Sequence, residues 1–171
     1  ADARLISPMA PIPNIIDILK RPNVLIFSTF STTATGVFNI SFDTNFRVKD
    51  HLGTPLPEYS NYIRYFARMH RFWRGDFKIS FHFYTSPLVS MRARFKLKVS
   101  EDVETEAGDV INEVMPIRGH VEYTYQIPFL YKNLIAKTDD RAPMYGSLVK
   151  ETEPVGASGE PAEVYMVVLI S

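Results

Sequence analysis

The chain of 171 residues has no cysteine, which excludes disulfides, thiolate zinc sites and thiol nucleophiles together. It has no excess of charge either: 19 basic residues balance 19 acidic ones, so bulk charge points neither to nucleic acid nor to an anionic membrane. No apolar run approaches the roughly 18 residues of a membrane helix, and the opening ADARLISPMAPIPN lacks the basic-then-apolar layout of a signal peptide. It reads as a mature chain without visible targeting or a stable membrane anchor. No G-x-S-x-G elbow, phosphate-binding glycine loop, H-x-H pair or H-E-x-x-H occurs, and no nucleophile–base pair stands out. The sequence therefore reads as non-enzymatic, with no cofactor and no metal.

What is present is aromatic. Twelve Phe and nine Tyr sit within a hydrophobic fraction of 46%, ample for the core of one domain at this length. Residues 1–22 read as an N-terminal arm and short helix: Pro8, Pro11 and Pro13 favour an extended arm, Asn14 is a candidate N-cap, and Pro22 a stop. Residues 23–171 read as the folded domain.

Four segments alternate with period 2, as strands with one buried face do. Phe38, Ile40, Phe42 and Phe46 oppose Asn39, Ser41, Asp43 and Asn45; Phe77, Ile79, Phe81 and Phe83 oppose Lys78, Ser80, His82 and Tyr84. Met91, Ala93, Phe95, Leu97 and Val99 oppose Arg92, Arg94, Lys96 and Lys98; Val121, Tyr123, Tyr125 and Ile127 oppose His120, Glu122, Thr124 and Gln126. NVLIFSTF is a fifth strand, MYGSLVKE a weaker one, and AEVYMVVLIS, apolar on both faces, must be covered on both or lie between neighbours. Tyr62, Tyr65, Phe66 and Met69 are spaced as one face of a short helix across the barrel end, whereas EDVETEAGDVINEV reads as an acidic loop with at most one helical turn. Seven strands without a βαβ rhythm predict an all-β antiparallel sandwich or Greek-key jelly roll.

The helix running into MHRFWRGDFKISFHF resembles the approach to the fourth strand in jelly-roll major capsid proteins of picornavirus-like viruses (order Picornavirales). NIIDILKRPNVLIFSTF is similar to the short helix before their strand B, GVFNISFDTNF to strand C, MRARFKLKVS to E, HVEYTYQIPFLYKNLI to F with its I-P-F exit, and PAEVYMVVLIS to H. The resemblance implies an eight-stranded antiparallel jelly roll with one or two short helices, in which strands B to H are visible. Strand I then lies outside the chain, supplied by further residues or by a partner. That would leave Phe77–Thr85 along an edge, where unpaired backbone invites another strand.

Arg74-Gly75-Asp76 matches an integrin-binding tripeptide, but it abuts a strand whose apolar face begins at Phe77, so it reads as the turn into that strand, with Gly75 giving conformational freedom. Arg92, Arg94, Lys96 and Lys98 form a cationic stripe that could meet the phosphates of a packaged RNA or contact another subunit; Glu122 on the next strand is expected to offset part of it. His82 and His120 fall on polar faces, against a cupin-type metal site, and His51 and His70 complete no ligand spacing; histidines at an interface could also loosen an assembly on acidification. Asp139-Asp140 begins an Asp-Asp-Phe motif of some insect-infecting members, but Arg141 breaks it. A filled core is expected in preference to a fatty-ligand pocket inside the barrel.

The resemblance implies a structural capsid protein of a small icosahedral positive-strand RNA virus. Its partners would be related jelly-roll subunits and packaged RNA, held weakly and without sequence preference, with the host receptor unidentified. It would reside in the virion and, during assembly, in the host cytoplasm. The alternative is a secreted receptor-binding jelly roll of the tumour-necrosis-factor type, for which no secretion or anchor segment is visible.

Overall fold

A computed structural model describes residues 14–32, 37–45, 61–99, 109–131, 133–138 and 144–171. The proline-rich residues 1–13, together with Phe46, His51, Asp139 and Asp140, lie outside the described residues.

The elements run α1 (Ile15–Leu19), β1 (Asn23–Phe30), β2 (Val37–Phe42), α2 (Tyr62–Ala67), β3 (Phe72–Trp73), β4 (Phe77–Tyr84), β5 (Ser90–Lys98), β6 (Asp109–Arg118), β7 (Val121–Ile127), β8 (Ala136–Lys137), β9 (Met144–Lys150) and β10 (Val164–Ile170). Asn14 caps α1 by accepting the Ile16 N–H at 3.2 Å, and Asn61 caps α2 by accepting the Ile63 N–H at 2.8 Å. Both helices are too short to hold without tertiary support.

Two four-stranded antiparallel sheets have the orders β1-β10-β4-β7 and β2-β9-β5-β6. Lettered in jelly-roll fashion these are B-I-D-G and C-H-E-F, which corrects four sequence assignments. Residues 109–118 form a strand, not a loop, and take place F; HVEYTYQI is G, MYGSLVKE is H, and the final apolar segment is I. The last strand is therefore within the chain. Phe77–Tyr84 is bonded on both sides, Phe81 pairing with Val168 of β10 and Tyr123 of β7, and is not an edge. β10 lies between β1 and β4, the position its two apolar faces required. β6 escaped notice because it is an edge strand that buries few residues, chiefly Met115 and Ile117, while Glu113 and Pro116 interrupt its alternation. An edge is also where a proline is tolerated, since Pro116 needs no N–H on its open side.

The inward rows meet as phenylalanines. Phe81 reaches Phe95 of the opposite sheet at 5.0 Å between ring centroids, Phe30 meets Phe38 edge-on at 5.4 Å, and Phe42 meets Phe77 at 6.2 Å. All of these except the half-buried Phe38 are buried, each contributing on the order of 1.5–3 kcal/mol by leaving water. Gly146 in β9 fits this core by having no side chain, because a Cβ there would lie 2.7 Å from the Phe42 ring and 3.1 Å from that of Phe95. Gly119 supplies a positive φ of 67° in the two-residue turn between β6 and β7.

The face expected of α2 is also corrected. Tyr62, Tyr65 and Met69 are exposed, and the helix buries Ile63 and Arg64 instead. A short helix across the barrel's end touches it along a narrow line, so one residue pair suffices.

Candidate functional site

The outer face of the second sheet carries the predicted cationic stripe, but the four residues do not form one uniform row. Arg92 is exposed; Arg94 donates to Glu151, at the end of β9, and to Asn112 of β6 at 2.6 Å; Lys96 is half-buried; and Lys98, 9% exposed, lies 3.5 Å from Asp109. Asn112 in turn donates to the other Asp109 oxygen at 3.2 Å. Glu122, the expected partner, is on β7 in the opposite sheet, 3.8 Å from His82, so the neutralising groups are Glu151 and Asp109. Asp109 was missed because β6 was read as a loop, and Glu151 because the sequence did not show that β9 lies beside β5. The available signal was one terminal carboxylate per segment, Asp109 at the start of DVINEVMPIR and Glu151 at the end of MYGSLVKE.

On the outer face of the first sheet β1 and β10 expose Val24, Phe27 and Tyr165. Toward β4 and β7 the surface turns polar: Ser80 and Thr124 share a hydroxyl hydrogen bond at 2.8 Å, and His120 stacks on Tyr84 with ring centroids 4.6 Å apart. His70 Nδ1 lies 3.0 Å from the Phe66 carbonyl. The three described histidines are thus dispersed, and among the described residues no cluster with metal-holding composition occurs.

At the corner where β6 meets β7, two tyrosines bridge the sheets. The Tyr123 hydroxyl donates to the Pro116 carbonyl, and burial raises its pKa. Tyr125, bonded to Glu113, is pushed up to about 12, first by burial and then by the Glu113 charge. At the opposite end burial raises the Asp43 carboxyl above its ordinary value, while the Asn45 N–H and the Arg64 charge pull it down.

In the tripeptide Arg74-Gly75-Asp76, one Asp76 oxygen accepts the Phe129 N–H at 2.9 Å and the other accepts from Gln126 at 3.3 Å. The carboxylate thereby pins the segment after β7 to the start of β4. Gly75 has no positive φ and a Cβ there would meet nothing within 4 Å, so the freedom assigned to it from sequence is not what the turn requires.

Neither family models nor curated proteins match the sequence. Solved structures do. A chain from sacbrood virus of honeybee superposes with a TM-score of 0.77 at 9% identity, covering 99% of this chain and 73% of its own. A chain of the Triatoma virus empty capsid gives 0.72 at 16% identity, covering 98% and 76%. A chain of the native Kashmir bee virus virion at neutral pH gives 0.75 at 12% identity, covering 99% and 74%. The fold is that of the Picornavirales capsid jelly roll, as the motif order in the sequence implied.

Proposed function

We propose that the chain is a structural capsid protein of a small icosahedral positive-strand RNA virus, packing beside related jelly-roll subunits in a shell that encloses the genome. The observation that carries this reading is the full eight-strand order B-I-D-G over C-H-E-F, matched along nearly the whole chain by chains of insect-virus particles. The outer apolar surface over β1 and β10 suits an obligate neighbour, since such interfaces are apolar at their centres. RNA contact through the stripe rests chiefly on the exposed Arg92, because Arg94 and Lys98 already have carboxylate partners, so binding there is weak and independent of sequence. The protein resides in the virion, and in the host cytoplasm while shells assemble. Nothing supports the tumour-necrosis-factor alternative. Co-expression with the other shell proteins of the same virus tests the proposal: closed particles containing this chain, seen by electron microscopy and mass spectrometry, are expected. Particles that form equally well without it would overturn the reading.

A further inference from the structure

Residues 61–75, NYIRYFARMHRFWRG, hold four arginines, a histidine and no acid, in a chain whose net charge is zero, and five aromatic side chains are interleaved with them. Folding uses little of this. α2 buries Ile63 and Arg64 and leaves Tyr62 and Tyr65 outward, 49% and 51% exposed, one helical turn apart on one face. Arg71, in the turn after the helix, is exposed, and its guanidinium lies 5.7 Å from the centre of the Phe72 ring, itself 46% exposed at the start of β3. Across the ribbon Phe72 pairs with the exposed Lys137 of β8, and residues opposite one another in an antiparallel pair share a face. The Thr138 hydroxyl donates to the His70 carbonyl at 2.9 Å and ties β8 to that turn, so helix, turn and ribbon make one support.

Cations alone suit any polyanion, and bare rings alone suit another protein. Exposed rings set among cations, with no acid from 61 to 75 or from 133 to 138, match a ligand that carries both phosphates and flat unpaired bases. We propose that the α2–β3–β8 surface binds single-stranded RNA, with bases stacking on Tyr65 and Phe72 and phosphates meeting Arg71 and Lys137. A duplex keeps its base faces inside the helix and offers only backbone, so it forgoes the stacking. The cationic stripe on β5 differs in having no exposed ring beside Arg92 on its own strand. That the RNA is a packaged genome rests on the capsid reading; the stacking surface does not, and free oligonucleotides test it whether or not shells form.

The 171-residue chain is titrated into labelled oligouridine and into the same strand paired with oligoadenylate, with binding read by fluorescence anisotropy. The single strand is expected to bind about tenfold tighter than the duplex, as one stacked base would give. Tyr65→Ala and Phe72→Ala, both at exposed side chains, are each expected to keep the circular dichroism of the parent, to weaken the single strand about tenfold and to leave the duplex unchanged. Arg71→Gln is expected to weaken both and to lower the salt dependence by about one charge. Equal binding of strand and duplex, or alanine variants that hold the single strand as the parent does, overturns the proposal. In assembled particles ultraviolet cross-linking is expected to join the 61–75 peptide to RNA. Cross-links that fall on other peptides of the chain instead would also overturn it, because a neighbouring protein then covers this face.

Discussion

Over β5 and β9 the outer surface carries Arg94 and Lys98, held by Glu151 and Asp109, whereas over β1 and β10 it carries Val24, Phe27 and Tyr165. The first surface answers much of its own charge. A cation already paired with a carboxylate gives less to a polyanion, since the existing partner must be displaced. The second surface has an apolar patch that stays partly exposed, and hydrophobic gain is available there to a neighbouring molecule. A row of charge in a sequence is thus a poor guide to a binding surface until its cross-strand partners are known.

Four substitutions test this contrast. Phe81→Ala removes the ring at the seam the two sheets share and should lower stability by about 3–5 kcal/mol in urea denaturation. A loss under about 1 kcal/mol would mean that the two sheets are not joined there. Lys98→Ala leaves the nearly buried Asp109 without its cation and should cost about 3 kcal/mol, while replacing the pair together by Met and Leu should be close to neutral. If the single and double variants are equally unstable, the surface is not self-neutralised. Arg94→Gln breaks a half-exposed pair and should cost about 1 kcal/mol or less, changing the salt dependence of RNA binding by less than one full charge. Tyr165→Asp should alter the stability of the isolated chain by no more than about 0.5 kcal/mol yet prevent particle formation.

The smallest effect lies at high pH. Because Tyr125 is pushed from 10.0 up to about 12, the folded chain holds its proton where the unfolded chain releases it. Stability from this group is present below pH 10 and falls as pH rises toward 12. Tyr125→Phe should flatten that fall in a comparison of melting temperatures from pH 9 to 11, and an unchanged slope would contradict the assignment.

The core strands were legible because period-2 alternation survives wherever one face is buried: Phe77, Ile79, Phe81 and Phe83 all lie inward as read. β6 was not legible. Its edge position lets Pro116 and Glu113 stand in a strand, and losing it shifted every later letter by one, so that a missing strand I was inferred where β10 already stands. The face of α2 failed for a related reason, since helical spacing names a stripe but the open end of the barrel accepts only Ile63 and Arg64. Of the candidate sites, the stripe was visible as charge, but its partners come from β6 and the end of β9 and needed the sheet order.

The role proposed for this domain is to build a shell around RNA. Sedimentation of the native material through a sucrose gradient, with absorbance at 260 and 280 nm read across the fractions, tests it most directly. In that role this chain is expected in a particle of megadalton size together with related shell proteins and RNA. Sedimentation of the chain alone, as a monomer or trimer free of nucleic acid, would contradict it.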